Sequence, residues 1–299
     1  MQDAVSPAQD TRLPRAIGIF DSGVGGLSVL REIRHRLPHQ DIVYLADEAH
    51  VPYGSRRMGE IRGFSRAITS FLVEQGACLV VVACNTASAA ALHQLRRWFE
   101  IPIVGMEPAV KPAAERTRSR HVGVIATQAT FQGELFSRLL QRFARETAVH
   151  TQVCPGLVER VEAGELDGAE TEALLRTCLQ PLLSEGVDSL VLGCTHYPFL
   201  LPTIRRVVGA GVEVIDPAPA VALQTERVLR SIGRVCPEGD GRVAYFTTGS
   251  APSFEVKVAR LVSIPGTVRA AAWKARQLQV LEPPAREAAG PHADRNQGG

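Results

Sequence analysis

Two cysteines of this sequence each come directly after a run of aliphatic residues and are followed by polar residues. Cys84 ends "LVVVAC" before "NTAS", and Cys194 ends "LVLGC" before "THYP". His196 stands two residues after Cys194, and Asp21 follows a third apolar run, "AIGIF". Thiols, imidazoles and carboxylates are the side chains that exchange protons or bind metals. These four residues are therefore the first candidates for chemistry.

Two thiols that face each other across a small molecule can invert a carbon stereocentre. One thiolate removes the proton from one face of the carbon while the other thiol delivers a proton to the opposite face, and the roles exchange in reverse. Because a thiol has an ordinary pKa of about 8.5, each thiol needs a neighbour that adjusts it. We expect Asp21 to act on Cys84 and His196 to act on Cys194.

The same residue types allow other interpretations. Cys84, Cys194 and His196 are all ligand types for zinc, although no C-x-x-C or H-x-x-x-H spacing supports a metal site. A cysteine in an apolar segment is commonly a small buried hydrophobe, and we assign Cys78 and Cys178 to that class. Polar residues after them set Cys84 and Cys194 apart. We predict no metal site.

Alternating strands and helices position these side chains. "AIGIF" is typical of a buried strand, the turn "DSGVGG" follows it, and Leu27, Leu30, Ile33 and Leu37 share one helical face. The same succession recurs along the chain, which predicts an α/β fold of parallel sheets flanked by helices. Further strands are predicted at "IVYLA", "LVVVA", "IPIVG", "HVGVIA", 151–154, "SLVLG" and "VEVID", and helices at 59–75, 86–99, 109–117, 131–145, 169–185 and 199–208.

The predicted elements divide into two similar halves, each with one of the two cysteines directly after a strand. In open parallel sheets, ligands bind beyond the carboxyl ends of the strands, which is where Asp21, Cys84 and Cys194 stand. We therefore predict two pseudo-symmetric α/β domains with the active site in the cleft between them. The predicted divisions are a flexible leader at 1–15, a first domain at 16–108 plus 220–270, a second domain at 109–219, and a disordered tail at 271–299.

The turn "DSGVGG" matches a dinucleotide-binding loop only in part. Asp47 lies about 20 residues on, where a ribose-binding acid would stand, but Ser28 occupies the place of the third glycine. We expect the backbone N–H groups of this turn to hold a carboxylate instead. The segment "VPYGSR" offers Tyr53, Gly54 and Ser55 to the same anion.

The lysines argue against pyridoxal phosphate, which needs a lysine for its Schiff base. The chain has three: Lys111, Lys257 and Lys274. Lys257 and Lys274 lie outside the set of strand ends, and Lys111 has no phosphate-binding loop beside it. We predict that no cofactor is used.

Composition argues against nucleic acid and membrane as partners and favours a small-molecule ligand. The 299 residues carry 33 Lys+Arg against 31 Asp+Glu and 5% aromatic residues, which is unlike a nucleic-acid-binding surface. No apolar run reaches the roughly 18 residues that cross a membrane, and the N-terminus lacks a secretory signal, so we expect a cytoplasmic protein. The six cysteines are widely spaced, and we expect free thiols in a reducing compartment.

The motifs as a set resemble those of bacterial glutamate racemases, in the aspartate/glutamate racemase superfamily. The resemblance rests on "GIFDSGVGGLSVL", "VPYGSR", "ACNTASA", "LVERVEAG" and "LGCTHYPFL", in this order, and covers about residues 16–270. It implies two α/β domains around one site, and interconversion of L- and D-glutamate without a cofactor, which supplies D-glutamate for peptidoglycan. Since members of the family are often dimers, it also makes a homodimer a candidate assembly.

The resemblance also implies a role for individual residues. Cys84 would act on the α-proton of D-glutamate with help from Asp21, and Cys194 on that of L-glutamate with help from His196 and Glu162. From the local sequence alone, Glu162 is predicted to be a solvent-exposed charge on a helix. Position 126 is Ala where the family pattern has Gly. The implied substrate contacts are Asp21, Ser22, Tyr53, Gly54, Asn85, Thr86, Thr127, Thr130, Thr195 and His196.

Two alternatives from other functional classes stay open at this point. A metal-dependent hydrolase would use Cys194 and His196 as ligands, and stoichiometric zinc in the purified protein would support it. A regulator would bind a small ligand in the same cleft without catalysis, and binding without exchange of the α-proton would support that. The presence of all the proton-transfer residues favours the racemase.

Overall fold

The computed structural model describes residues 13, 15–143 and 147–281 of the chain. Strands and helices alternate through these residues. The strands are β1 (Ala16–Asp21), β2 (Ile42–Ala46), β3 (Ala77–Val82), β4 (Ile103–Gly105), β5 (His121–Ala126), β6 (Ala148–Val153), β7 (Ser189–Gly193), β8 (Glu213–Ile215), β9 (Val243–Thr247), β10 (Thr267–Lys274) and β11 (Gln277–Val280). The helices are α1 (Leu27–Arg36), α2 (Met58–Glu74), α3 (Asn85–Trp98), α4 (Val110–Arg116), α5 (Gln128–Phe131), α6 (Glu134–Phe143), α7 (Leu157–Glu162), α8 (Ala169–Ser184), α9 (Leu201–Val208), α10 (Ala218–Ser231) and α11 (Ala251–Leu261), with 3-10 turns at Tyr53–Ser55 and Tyr197–Leu200.

The strands form two sheets, as an α/β fold of this pattern predicts. The larger sheet has the order β11-β10-β9-β2-β1-β3-β4 and is parallel except for β11. The smaller sheet has the order β6-β5-β7-β8 and is parallel throughout. We call the larger sheet with α1–α3, α10 and α11 the first lobe, and the smaller sheet with α4–α9 the second lobe. The predicted fold class is confirmed.

Burial explains why the strands that carry the site are continuous apolar runs. Every residue of β1, β2 and β7 is buried, as expected for parallel strands that helices cover on both faces. Asp21 ends β1, Cys84 follows β3, and Cys194 follows β7. The carboxyl ends of these three strands therefore bring one carboxylate and two thiols to the cleft between the lobes.

One predicted helix is two helices in the structure. The sequence predicts a single helix over 131–145, whereas α5 and α6 are separated at Gln132 and Gly133. A Cβ atom at Gly133 would lie 2.6 Å from the Cβ of Ala89, so the close approach of α3 requires glycine here. Thr127 caps the start of α5, where its side chain accepts a hydrogen bond from the Thr130 N–H. Residues 144–146 lie outside the described part of the chain.

The larger sheet extends past residue 270, where the sequence predicts its domain to end. β10 continues to Lys274, and β11 pairs with it in antiparallel register as far as Val280. Residues 282–299 of the predicted tail lie outside the described residues, as does most of the predicted leader. Leu13 of that leader is buried, and its N–H donates to the carbonyl of Gln75.

The expectation that all cysteines are free is wrong for one pair. Cys154, just after β6, forms a disulfide with Cys178 of α8, and their Cα atoms lie 5.6 Å apart. This separation is usual for a disulfide. Sequence spacing did not reveal the pair, because it depends on α8 packing against β6. Cys78, Cys84, Cys194 and Cys236 are free.

No helix of the described residues is long and apolar enough to cross a membrane.

Helix α11 is anchored to the first lobe by a buried aromatic residue, which generates a stability prediction. Phe254 is fully buried and stacks with Tyr44, with ring centroids 6.2 Å apart. We expect Phe254→Ala to lower the free energy of unfolding by about 3–5 kcal/mol, because a large core side chain leaves a cavity. Val256 on the same helix is 67% exposed. Val256→Ala should therefore change the free energy of unfolding by less than about 0.5 kcal/mol. Equal urea midpoints for the two variants would contradict this account.

Candidate active site

A small cavity lies between the two lobes at the carboxyl ends of β1, β3 and β7. Its volume is about 10 Å³, close to the space that one water molecule requires. The lobes are therefore closed on the site, and a ligand enters only when they separate. The cavity is lined by Ser22, Pro52, Tyr53, Gly54, Cys84, Asn85, Thr86, Thr127, Val158, Cys194, Thr195 and His196.

The structure brings together thirteen of the residues that the sequence singles out for the site, whereas Ser55, expected to contact the ligand with Tyr53 and Gly54, is exposed and does not line the cavity. Ten of the thirteen line the cavity, whereas Asp21, Thr130 and Glu162 stand directly behind lining residues. Pro52 and Val158 also line it and were not predicted. Ala126, at the position where the family pattern has Gly, ends β5 fully buried opposite Gly193. A Cβ atom at Gly193 would lie 2.8 Å from that of Ala126, so this pair of positions holds only one Cβ.

Cys194 has a histidine and a carboxylate in series behind it. The Nδ1 atom of His196 lies 3.7 Å from the Sγ of Cys194, and its Nε2 atom lies 2.8 Å from Oε1 of Glu162. Glu162 is the last residue of α7, and its side chain is 13% exposed. The expectation that Glu162 is a solvated charge, drawn from the pattern alone, is therefore wrong, and its link to His196 agrees with what the resemblance implies.

The charges of this series support one another. Burial opposes a charged imidazole, but the partners Cys194 and Glu162 outweigh burial and raise the pKa of His196 well above its ordinary value. Burial likewise opposes the carboxylate, but the hydrogen bond and charge of His196 dominate and lower the pKa of Glu162 to about 2. His196 and Glu162 therefore form an ion pair at neutral pH.

Both ring nitrogens of His196, a candidate metal ligand in the sequence, have side-chain partners in the structure. Nδ1 of His196 faces a thiol and Nε2 faces a carboxylate, so the ring links Cys194 to Glu162. Among the described residues, no group of three or more His, Cys, Asp and Glu side chains is arranged to hold a metal ion.

Cys84 stands in a different electrostatic environment from Cys194. It is the N-cap of α3, and its Sγ accepts a hydrogen bond from the Ala87 N–H at 3.5 Å. A helix N-terminus favours a thiolate, but burial and the charge of nearby Asp21 outweigh this and raise the pKa of the Cys84 thiol. Cys84 is therefore a protonated thiol at neutral pH in the closed lobes.

Asp21 links the two cysteine loops. Its Oδ2 atom accepts a hydrogen bond of 2.7 Å from Thr195 of the second lobe, and its Oδ1 atom accepts one of 2.9 Å from the Ser22 hydroxyl. Burial raises the pKa of Asp21, against the lowering effects of His196 and these hydrogen bonds. Asp21 is thus a fully buried carboxyl group near Cys84 that also contacts the residue next to Cys194.

The glycine turn after β1 is shaped by residues of the second lobe. A Cβ atom at Gly23 would lie 1.9 Å from Oε1 of Glu162, and one at Gly25 would lie 2.4 Å from Nδ1 of His196. The N–H of Val24 donates to Oε1 of Glu162 at 2.8 Å. The turn therefore holds a carboxylate with its backbone, as expected, but the carboxylate belongs to the protein. Glycine is needed here for close approach between the lobes, and not for a dinucleotide.

Hydroxyl groups join the lobes on the other side of the cavity. Thr86 of α3 lies 2.8 Å from Thr127 and 3.2 Å from Thr130, measured between the side-chain oxygens. A Cβ atom at Gly54 would lie 2.8 Å from the Cβ of Thr127, so the 3-10 turn also packs closely against the second lobe. Separation of the lobes must break these contacts.

Asn85 is the clearest polar group available to a ligand. Both its amide nitrogen and its amide oxygen are buried without a hydrogen-bond partner among the described residues. A buried amide without partners costs stability, so such groups need a reason. Because Asn85 lines the cavity, a ligand carboxylate or ammonium group would satisfy it.

Asp47 is a supporting residue that sequence reasoning did not assign to the site. It is fully buried, and its two carboxylate oxygens accept hydrogen bonds from Tyr53 at 2.6 Å, Trp273 at 2.8 Å and Thr248 at 2.9 Å, and contact His50 Nδ1 at 2.9 Å. With these partners Asp47 cannot reach a ribose. It fixes Tyr53 at the cavity wall, and Trp273 lies in the segment predicted to be a tail.

Comparison with known proteins agrees with this arrangement. A family model described as Asp/Glu/Hydantoin racemase matches residues 25–225. A glutamate racemase of Pseudomonas aeruginosa is 53% identical over 238 residues, which cover 79% of this chain and 89% of that protein. The crystal structure of a glutamate racemase isoform of Bacillus anthracis matches with a TM-score of 0.80 and 34% identity, over 88% of this chain and 98% of that one.

A second solved structure is that of Escherichia coli glutamate racemase in complex with L-glutamate and the activator UDP-MurNAc-Ala. It matches with a TM-score of 0.77 and 33% identity, over 90% of this chain and 100% of that one. The family model and the curated relative each cover about two thirds or more of this chain. The chain therefore belongs to the Asp/Glu/Hydantoin racemase family and is an isomerase.

Proposed function

We propose that the chain interconverts L- and D-glutamate by proton transfer between Cys194 and Cys84, without a cofactor. The observation that carries the proposal is that both thiols line one closed cavity, each with its own supporting groups. The choice of glutamate follows the relatives, which are glutamate racemases, among them one whose structure holds L-glutamate. Its product, D-glutamate, would serve peptidoglycan synthesis.

In the direction from L- to D-glutamate, Cys194 acts as the base. As a thiolate that faces the Nδ1–H of the charged His196, it takes the α-proton from one face of the substrate. The electron pair of the broken C–H bond stays on the α-carbon. Cys84, a protonated thiol in the closed lobes, then delivers its proton to the opposite face and becomes a thiolate.

In the reverse direction, Cys84 must first lose its proton. Burial and Asp21 oppose this in the free protein, whereas the ammonium group of a bound amino acid would lower the thiol's pKa by placing a positive charge beside it. Asp21 is the nearby carboxyl group that can share the proton. The reactivity of Cys84 as a base therefore depends on an occupied site.

The remaining lining residues would bind and desolvate the substrate. Asn85 offers an unpartnered buried amide, and Ser22, Thr86 and Thr195 offer hydroxyl groups at the cavity. Exclusion of water matters because the α-proton of an amino acid is a weak acid and its carbanion needs a preorganised site. Since the closed cavity measures about 10 Å³, opening and closing of the lobes must accompany each turnover.

The direct test is conversion of L-glutamate to D-glutamate by the purified protein after dialysis against a chelator. We expect conversion without any added cofactor. Cys84→Ala and Cys194→Ala should each lower the rate by about 10²–10⁴-fold or more, because each removes a proton-transfer group. Cys236→Ala, which alters a free cysteine away from the cavity, is the matched control. Full activity in either active-site variant would refute the two-thiol mechanism.

The unequal environments of the thiols predict an order of alkylation. In the ligand-free protein at neutral pH, iodoacetamide should modify Cys194 before Cys84, since burial and Asp21 raise the pKa of Cys84 whereas Cys194 has an imidazole partner. Peptide mapping by mass spectrometry distinguishes the two sites from the more exposed Cys78 and Cys236. Faster labelling of Cys84 would contradict the assigned resting state.

Loss of the Asp47 carboxylate should act on substrate binding more than on proton transfer. We expect Asp47→Asn to lower the free energy of unfolding by about 2–3 kcal/mol, because buried donors lose a charged acceptor. KM for glutamate should rise more than kcat falls, since Tyr53 lines the cavity without belonging to the proton path. Asp240→Asn, at an exposed position, is the control. A fall in kcat at unchanged KM would contradict this role.

A further inference from the structure

Lys257 contacts carboxylates of both lobes at the edge of the site. Its Nζ atom lies 2.6 Å from Oε1 of Glu48 in the first lobe and 3.2 Å from Oε2 of Glu162 in the second. Lys257 belongs to α11, which Phe254 and Val258 anchor in the first lobe. The ion pair with Glu162 therefore forms only when the lobes are closed, whereas the pair with Glu48 persists within one lobe.

The two oxygens of Glu162 have different partners. Oε1 accepts hydrogen bonds from Nε2 of His196 and from the N–H of Val24, both at 2.8 Å. Oε2 faces the ammonium group of Lys257. The terminal torsion of a glutamate side chain has a broad energy minimum, so a partner on Oε2 restricts rotation of the carboxylate. Lys257 thereby keeps Oε1 directed at His196.

The charges along this line alternate in sign. The line runs from Glu48 through Lys257 and Glu162 to His196, and Glu48 itself accepts a hydrogen bond from Thr247 at 2.5 Å. Burial opposes the charge on Lys257, but Glu48 and Glu162 outweigh it and raise the pKa of the ammonium group. Without this cation, Glu48 would keep its hydrogen bond from Thr247 and Glu162 those on Oε1 from His196 and Val24, but Oε2 of Glu162 would lose its charged partner.

We propose that Lys257 is a positioning residue for the Cys194 half of the reaction, which orients Glu162, and through it His196, only when the lobes close. The inference rests on the proposed function, because it assigns a role within the same site. In this proposal, the contact between Lys257 and Glu162 couples lobe closure to the orientation of His196 beside Cys194. Lys257 itself touches neither thiol in the described structure.

A purely structural ion pair would behave differently. The side chain of Lys257 is 25% exposed and those of Glu48 and Glu162 are 10% and 13% exposed, so removal of Lys257 should lower the free energy of unfolding. A purely structural ion pair would have no other effect, whereas a positioning residue also changes the rate, the pH profile and the isotope effect. Titratable groups of neighbouring elements that interact with this line include Asp21, beside His196, and Tyr44, beside Glu162 and Glu48.

The first test compares Lys257→Met with Lys257→Arg, and uses Lys274→Met, at an exposed position at the end of β10, as the control. We expect Lys257→Met to lower kcat by about 10-fold, the scale of a lost charged hydrogen bond, and Arg to restore most of the rate. The pH profile of kcat/KM should move to higher pH by up to about one unit, because removal of a cation raises neighbouring pKa values. An unchanged rate and profile would overturn the proposal.

The second test identifies the half of the reaction that is affected. A racemisation has an equilibrium constant of one, so any substitution changes kcat/KM equally in both directions. The primary isotope effect is not constrained in this way. In Lys257→Met it should rise with α-deuterated L-glutamate, whose proton Cys194 removes, and not with α-deuterated D-glutamate. A rise with the D-enantiomer alone would overturn the assignment.

A double-mutant cycle with Glu162→Gln tests whether Lys257 acts through Glu162. If it does, Lys257→Met should cost less than about 2-fold in the Glu162→Gln background, since the residue it positions is already altered. A full 10-fold loss in that background would show an independent role and overturn the proposal.

A spectroscopic readout separates this inference from the proposed function. The chain has only three lysines, so reductive ¹³C-methylation gives three side-chain NMR signals besides that of the N-terminal amine. The signal that Lys257→Arg removes should shift in Glu162→Gln, whether or not glutamate is the substrate. A wild-type protein that fails to racemise glutamate would refute the proposed function alone. An unchanged chemical shift of the Lys257 signal in Glu162→Gln would refute the positioning role.

Discussion

The carboxylate of Glu162 is the contact on which the arrangement of the site depends. Glu162 is the last residue of α7 in the second lobe, and its side chain reaches the glycine turn of the first lobe. There its carboxylate accepts a hydrogen bond from the N–H of Val24. The same oxygen holds His196, and the other faces Lys257. A buried carboxylate needs such partners to remain charged. One buried charge therefore contacts the glycine turn of the other lobe, the imidazole of His196 and the ammonium group of Lys257.

The two thiols line the same cavity but have different neighbouring groups. Cys194 faces a charged imidazole that is paired with a carboxylate, whereas Cys84 has a buried carboxyl group and a helix N-terminus nearby. Asp21 joins these environments through its hydrogen bond with Thr195. In the proposed reaction each thiol is a base in one direction and an acid in the other, and the charge of a bound amino acid would be part of the chemistry at Cys84.

The sequence predicted the fold and the strand-end residues well because both follow from local patterns. Apolar runs alternate with amphipathic helices, Asp21 is the last residue of a strand, and Cys84 and Cys194 come just after strands. The supporting contacts depend on packing between distant segments, which no spacing reveals. Lys257 and Glu162 are 95 positions apart, Trp273 reaches Asp47 from a strand predicted as tail, and Cys154 meets Cys178 only because α8 covers β6. The charge of Glu162 was assigned to the site by resemblance, since an isolated glutamate on a helix has the pattern of a solvated residue.

In the proposed reaction, different groups act on the two faces of the α-carbon within a closed site. The most direct measurement follows the first few per cent of conversion of L-glutamate in deuterated water and determines the α-deuterium content of each enantiomer. Two thiols predict D-glutamate that is deuterated at the α-carbon while the remaining L-glutamate keeps its proton. D-glutamate that retains the original proton, or L-glutamate that exchanges as fast as D-glutamate appears, would mean that a single group serves both faces.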